Sequence, residues 1–348
     1  MRIVVNDIAA SSGGALSILK DFYEYVNQNE RENEWIFLTG GKYIEEADNI
    51  KVIVLDRVKA SKLEKLKFDF IYGKKFIEKL NPDIVFSLQN IITFGVKVKQ
   101  AVYVHQPLPF QDAKRFSLLK PQERKMAFYQ YIIGYIIKMS IKKADKVIVQ
   151  TRWMREAVIN QTGIDSSKIA NILPCITELT TMPLIDNGNT FFYPSSDGIY
   201  KNNECIYKAN EMLLSDGYSD YEINITIDEK EKYPNINFLG RIPRDEVVKR
   251  YAESVLIFPS YIETFGYPLA EARRMGILIF ASHCEFSREL LDGYENAYFF
   301  DPFNPNELAC LMRQVIDGEI TRKPIHENTI DENTWRYVVE EIVSLDRR

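Results

Sequence analysis

The sequence predicts an α/β protein built of two doubly wound, Rossmann-like domains. Three observations carry this. The chain has 348 residues, more than the roughly 250–300 at which a single hydrophobic core stops growing. Short runs rich in Val and Ile alternate with longer segments of helical period, the pattern of parallel sheets covered on both faces. A turn-rich, weakly periodic stretch over 174–189, "PCITELTTMPLIDNGN", interrupts the alternation, which then resumes.

In the first half, "RIVVND" reads as a strand, "ALSILKDFYEYVNQ" as a helix, and "EWIFLTG" and "IKVIVLD" as strands. "KLEKLKFDFIYGKKFIEKL" is helical, "DIVFSLQ" and "QAVYVHQ" are strands, 117–143 reads as one long helix, and "KVIVQT" closes the series. The second half repeats the theme. "TFFYPS" is a strand, "NECIYKANEMLLSDG" a helix, "YEINITI" and "NINFLG" strands, and "RDEVVKRYAES" a helix. Strand "VLIFPS", helix "PLAEARRMG", strands "ILIFAS" and "YFFD", and helix "NPNELACLMRQVIDG" follow. The final "ENTWRYVVEEIVSLD" is amphipathic, with Trp335, Val338, Val339, Ile342 and Val343 on one stripe. The domains therefore divide as 1–175 and 176–332, with 333–348 as a terminal helix.

Composition narrows the function. The N-terminus enters a strand at once, without a basic leader or cleavable apolar run, and the most apolar window, "YQYIIGYIIKM", is too short to span a bilayer. Cys175, Cys205, Cys284 and Cys310 are scattered, without a C-x-x-C pair, which fits a reducing cytoplasm better than a disulfide framework or a zinc site. Charge is asymmetric: residues 1–170 carry 27 Lys and Arg against 19 Asp and Glu, and the remainder 17 against 30. The first half is thus suited to facing something anionic.

The stretch "FPSYIETFGYPLAEA" places Glu263 and Glu271 on either side of a Phe-Gly-Tyr-Pro turn. Gly266 permits the turn, and Pro268 suits the first position of a helix. Glu263 would lie on the loop leaving the strand "VLIFPS" and Glu271 in the first helical turn. Both carboxylates could face one cleft, beside a helix start whose free N–H groups suit an anion.

"PSYIETFGYPLAEA" resembles the P-S-x-x-E-x-F-G-x-P-x-x-E-A signature of glycosyltransferase family 4, also termed group 1, retaining enzymes of GT-B fold. "NINFLGRIPRDEVVKRYAES" and "SRELLDGYENAYFFDPFNPNELA" are similar to the segments flanking that signature, and "TWRYVVEEIVSL" to the helix that returns to the first domain. The resemblance implies two Rossmann-like domains facing across a cleft, an acceptor-binding first and a nucleotide-sugar-binding second. It implies that Glu271 holds the ribose hydroxyls, as an ionised carboxylate can accept from a vicinal diol, and that Glu263 contacts the donor sugar. Backbone N–H groups at Gly266, Tyr267 and Leu269 would meet sugar and diphosphate.

In the family, an Arg and, five positions on, a Lys neutralise the diphosphate. Here "FFYPSSDGIYKNN" keeps Lys201 but puts Ser196 at the arginine position, removing a bidentate donor that a hydroxyl cannot replace in charge. Either another cation serves, Arg241 or Arg273, or the diphosphate is held more weakly. "NDIAASSGGALSIL" is not a G-x-G-x-x-G fingerprint; the resemblance makes Gly13 and Gly14 a loop facing the donor diphosphate. His105, at the end of "AVYVHQ", matches the family histidine near the donor sugar, whereas His283 and His326 have no such placement. No D-x-D occurs, and the implied enzyme needs neither metal nor cofactor. Its implied mechanism is front-face displacement, with the departing phosphate helping to deprotonate the acceptor.

Lys59, Lys62, Lys65, Lys67, Lys74, Lys75 and Lys79 cluster around one amphipathic helix, with Lys114, Arg115, Arg124 and Lys125 beyond it. That pattern reads equally as a solvated helix face or as a peripheral membrane contact on anionic lipid. Nucleic acid fits less well, for the protein as a whole is acidic. The expectation is a cytoplasmic retaining glycosyltransferase, at the inner face of the membrane if the basic helix is a membrane contact. It moves a hexose from a UDP- or GDP-type sugar to a glycan or lipid-linked glycan for surface polysaccharide. A nucleotide-sugar epimerase of the same fold, or a nucleotide-sugar-binding protein without turnover, are the alternatives.

Overall fold

The computed structural model describes residues 1–176, 182–185, 188–229, 231–324 and 334–346. His326 and parts of the predicted linker lie outside them. The chain divides into two compact units, Met1–Cys175 together with Asn333–Arg348, and Ile176–Glu332.

The first unit runs β1 (Arg2–Asp7), α1 (Gly13–Asn29), β2 (Glu34–Thr39), β3 (Ile50–Val54), α2 (Asp56–Lys59), α3 (Lys62–Lys67) and α4 (Gly73–Glu78). It continues with β4 (Ile84–Ser87), β5 (Lys99–Val104), α5 (Arg124–Phe128), α6 (Gly134–Lys143), β6 (Lys146–Val149), α7 (Arg152–Thr162) and β7 (Ile169–Asn171). The strands form one parallel sheet in the order β3-β2-β1-β4-β5-β6-β7. Side chains alternate across it: Ile3 and Val5 join Leu19, Phe22 and Val26 on one face, while Val4 joins Ile36, Leu38, Phe68, Ile77 and Val85 on the other. Both faces are dry, which is why these strands read as continuous apolar runs. Between β1 and β4 the strand order reverses, so the loops leaving their carboxyl ends diverge, as at the ligand-binding switch point of doubly wound sheets.

Two features of this unit differ from the sequence reading. The segment expected to be helical from 117 becomes helix only at Arg124. Pro121 has no N–H, and the Glu123 carboxylate accepts from the Ser117 amide (2.8 Å), a local bond that competes with helix. Five-residue π turns, Phe68–Tyr72 and Tyr129–Ile133, join α3 to α4 and α5 to α6 into continuous helices. Each π turn ends at a buried glycine. A Cβ on Gly73 would lie 2.3 Å from the Phe68 carbonyl oxygen, and one on Gly134 2.8 Å from Pro109 Cβ.

The second unit runs β8 (Thr190–Tyr193), α8 (Asn203–Ser215), β9 (Glu222–Ile225), β10 (Ile236–Phe238), α9 (Arg244–Ala252) and β11 (Val255–Phe258). It ends with α10 (Tyr267–Met275), β12 (Ile279–Ser282), α11 (Glu285–Leu290), β13 (Ala297–Phe300) and α12 (Pro305–Ile316). Its parallel sheet, β10-β9-β8-β11-β12-β13, reverses order between β8 and β11. The loops leaving those two strands are the ones that carry Lys201 and Glu263.

Helix α13 (Trp335–Val343) belongs to the first unit. Its stripe of Trp335, Val338, Val339 and Ile342 completes the larger apolar cluster there, with the Trp335 ring 5.1 Å from Phe22 and 5.6 Å from Tyr103. Lys146 at the start of β6 is paired with Glu341 (2.7 Å).

Candidate active site

At the switch point of the second unit, Lys201 Nζ donates to Glu263 Oε1 at 2.5 Å, and Ser260 Oγ donates to the same oxygen at 2.8 Å. The chain is held firmly for this. Asn202, with φ +60°, donates from Nδ2 to the carbonyls of Pro259 (3.2 Å) and Pro302 (2.7 Å). Tyr193 at the end of β8 donates its hydroxyl to the Lys201 carbonyl (2.9 Å). Side chains of Lys201 and Glu263 are 18% and 17% exposed, so the pair is mostly dry yet reachable. Burial opposes the Lys201 charge, but Glu263 and then Tyr193 outweigh it and hold the ammonium above its ordinary range.

Glu271 is buried in the second turn of α10, one residue further from the helix start than predicted because the helix begins at Tyr267. Its carboxylate is gripped by a residue absent from the sequence reading. Arg244, at the start of α9, donates Nη1 to Oε2 (2.9 Å) and Nη2 to Oε1 (2.5 Å), a bidentate fork, and the buried Tyr251 hydroxyl donates to Oε2 (3.0 Å). Nothing in the run "RDEVVKRYAES" marks Arg244 as a partner of a residue 27 positions away. Only the placement of α9 beside α10 in space could reveal it.

Ser196 and Arg241 line one cavity of about 390 Å³, with Ser195, Asp197, Thr226, Ile227 and Asp228. It opens at the carboxyl ends of β8 and β9. Arg241 is therefore a cation beside the position that lost one. Arg273 is not: its Nη1 donates to the Leu290 carbonyl and its guanidinium lies over the Tyr294 ring, 5.7 Å from the centroid.

The glycine turn is as tight as predicted, with Gly266 at φ +90° preceding α10. One expected donor is corrected. The Leu269 N–H is taken by the Gly266 carbonyl (3.0 Å) and its side chain is fully buried, so Leu269 closes the turn instead of presenting an amide. The Tyr267 ring packs edge-on against Phe265 (5.3 Å).

In the first unit, Gly13 (φ +60°) and Gly14 are exposed at the start of α1, which has no side-chain cap and no acid in its first turn. His105 follows β5, on the same carboxyl edge of the sheet. Its amide donates to Asn90 Oδ1 (2.7 Å), and burial of the imidazole depresses its pKa to about 4 despite a bond with the Leu88 backbone. His105 is thus neutral near pH 7 and can accept as well as donate. The sequence reading also missed Asp7, the last residue of β1. Burial raises its pKa to about 7, against the Ala10 amide and the Lys65 and Lys59 charges. Below the loop, Lys65 is paired with the buried Asp69, which accepts from Gln89 Nε2 (3.4 Å), and Lys59 donates to the Ala9 carbonyl.

Residues 216–332 match the family model for glycosyl transferases group 1. The O-antigen chain mannosyltransferase RfbU of Salmonella typhimurium strain LT2 is 22% identical over 281 residues, covering 73% of this chain and 78% of that protein. Among solved structures, the sucrose-phosphate synthase of Thermosynechococcus elongatus superposes with a TM-score of 0.65 at 15% identity, over 99% of this chain and 94% of that one. Anabaena HepE in complex with UDP-glucose gives 0.62 at 15% identity, over 100% and 97%. The fold shared with these proteins is GT-B, and over residues 216–332 the chain is similar to the group 1 glycosyl transferases.

Proposed function

We propose that the protein transfers a hexose, with retention of configuration and without metal, from a nucleoside diphosphate sugar to a glycan or lipid-linked glycan during surface-polysaccharide assembly. The observation that carries this reading is the Lys201–Glu263 pair at the switch point of the second sheet. A lysine held cationic in a mostly dry site can neutralise the departing diphosphate as charge develops on it. Glu263, fixed by Lys201 and Ser260, has lone pairs left for the hydroxyls of the donor sugar. Glu271 receives the ribose, and Arg241 supplies in the cavity beside Ser196 the charge that the serine cannot. The exposed amides of Gly13 and Gly14 meet the diphosphate, and neutral His105 bonds the sugar.

The acceptor class follows the relatives: RfbU is named an O-antigen chain mannosyltransferase, and HepE is seen with UDP-glucose. We accordingly favour a UDP or GDP donor and a site of action at the cytoplasmic face of a membrane. The test is incubation of the protein with single UDP-, GDP-, ADP-, TDP- and CDP-sugars, EDTA and a lipid-linked glycan fraction, followed by product analysis. Release of the nucleoside diphosphate with formation of an α-linked product from an α-linked donor supports the reading. Because Ser196 stands where the family has arginine, binding of one donor without its consumption, in the presence of acceptor, would replace it with a non-catalytic nucleotide-sugar-binding protein. Formation of an epimerised nucleotide sugar would replace it with an epimerase.

A further inference from the structure

Strand β4 lies between β1 and β5 in the first sheet. The loop leaving its carboxyl end therefore stands between the loop that carries Gly13 and Gly14 and the one that carries His105. Two consecutive residues of that loop reach to opposite sides. Gln89 is buried, and its side-chain amide is engaged at both ends. Oε1 accepts from the Ala9 amide (3.3 Å), while Nε2 donates to Asp69 Oδ1 (3.4 Å) and to the Ile91 carbonyl (3.5 Å). Asp69 is itself buried and paired with Lys65, so a flipped Gln89 would set its carbonyl against a carboxylate. Lys59 holds Ala9 from the other side, donating from Nζ to its carbonyl. One residue of the glycine loop is thus gripped at N–H and C=O by side chains from two other segments.

Asn90 points the other way. Its φ of +67° is a left-handed conformation that L-residues adopt at a cost, asparagine less than most. Its Oδ1 accepts from the His105 amide (2.7 Å), and the His105 imidazole bonds the backbone of Leu88 in the same loop. Such a conformation persists where the surroundings over-determine it, and here they do. Ser87 Oγ donates to the Ile91 carbonyl (2.6 Å), the Leu88 amide to the Asn6 carbonyl (3.1 Å), and the Ile92 amide to Ser140 Oγ (2.8 Å). The loop is a fixed bracket between its two neighbours.

We propose that Gln89 and Asn90 are positioning residues for transfer: Gln89 sets the glycine loop against the donor diphosphate, and Asn90 sets His105 against the donor sugar. The proposal deepens the transferase reading and rests on it for what the glycine loop and His105 touch. A misplacement of about 1 Å costs up to about 100-fold in rate, so loosening a backbone that keeps its other bonds should cost about tenfold.

The test is steady-state kinetics of purified variants with donor varied at fixed acceptor. Asn90→Gly removes Oδ1 but relieves the left-handed strain, so its melting temperature should stay near that of wild type. Its kcat should fall about tenfold at nearly constant donor KM. Asn90→Asp keeps the acceptor oxygen and tolerates the same φ, and should recover most of that rate. Gln89→Met should raise the donor KM about tenfold with kcat less affected. Lys59→Met, at the other end of Ala9, should do the same and decides the matter if Gln89→Met does not fold. Unchanged kcat in Asn90→Gly, or no recovery in Asn90→Asp, overturns the role of Asn90. Unchanged donor KM in the folded variants around Ala9 overturns that of Gln89.

A readout without turnover separates this proposal from the transferase reading. In a His283→Gln/His326→Gln background, proton NMR should show the His105 midpoint rise by at least about one pH unit in Asn90→Gly, as water reaches the ring. Nucleotide sugar should also raise the melting temperature of Gln89→Met less than that of wild type. If wild type transfers nothing, the transferase reading falls by itself. An unmoved midpoint and an equal thermal shift then remove the proposal too, whereas changes in both leave the two residues holding His105 and the glycine loop.

Discussion

Lys201 and Glu263 meet at 2.5 Å from loops that leave two neighbouring strands, β8 and β11, on opposite sides of the point where the strand order reverses. Removing the cation should cost the leaving group its stabilisation. We expect Lys201→Met to lower transfer at least about 100-fold, measured as nucleoside diphosphate release at saturating donor. Stability should follow a defined pH course. Lys201 has a folded value raised above the unfolded one, so the pair's contribution is complete below about pH 10 and is lost only as pH climbs through the raised value. The difference in melting temperature between wild type and Lys201→Met should be flat from pH 6 to 9. A difference that shrinks within that window would contradict the assignment.

Arg244 forks onto a carboxylate that is itself buried. Arg244→Ala leaves Glu271 with the Tyr251 hydroxyl, so a loss of about 1–2 kcal/mol in urea unfolding is expected, limited by the half-exposed guanidinium. In Arg244→Ala/Glu271→Gln the loss should be smaller than in Arg244→Ala alone, because no buried charge is then left unpaired. A double variant less stable than the single would show that the fork is not what matters.

Two groups of the first unit give opposing pH trends. His105 is depressed to about 4, so the unfolded state binds the extra proton and stability falls as pH drops from about 6.5 towards 4. Asp7 is raised to about 7, so the folded state holds the extra proton and stability falls as pH rises from about 4 to 7. Asp7→Asn should therefore stabilise the protein by about 2–4 kcal/mol at pH 8 and far less at pH 5. Equal effects at both pH values, read from denaturant midpoints, would refute a raised Asp7.

Gly266 sits at φ +90°, a conformation that costs an L-residue about 1–2 kcal/mol. Gly266→Ala meets no atom closer than 3.5 Å, so strain alone should lower stability by that amount. Because Gly266 joins the Glu263 loop to α10, donor turnover should fall further than the stability loss explains. Unchanged turnover would separate the turn from the site.

The paired glutamates were legible because their turn chemistry is local: a Gly and a Pro within five residues dictate where a strand ends and a helix begins. Both sheets were legible for the same reason, as Val and Ile runs need no knowledge of their neighbours. The grip of Arg244 on Glu271 was hidden because it depends on how α9 and α10 are placed, which no short window encodes. Leu118 and Leu119 fall in a stretch that reads as helix, but Pro121 and the Glu123–Ser117 bond decide otherwise. The π turns were equally hidden, for Gly73 and Gly134 resemble ordinary weak points of a helix until the Phe68 carbonyl and Pro109 are seen beside them.

The apolar stripe of α13 lies in the first unit, between strands made some two hundred residues earlier. A ribosome therefore finishes the second unit before the first can close over Phe22 and Tyr103. Until Trp335 emerges, that earlier half carries an open apolar seam, a natural target for chaperones that hold nascent chains. Deleting the last helix should thus leave a first half that aggregates beside a second half that folds.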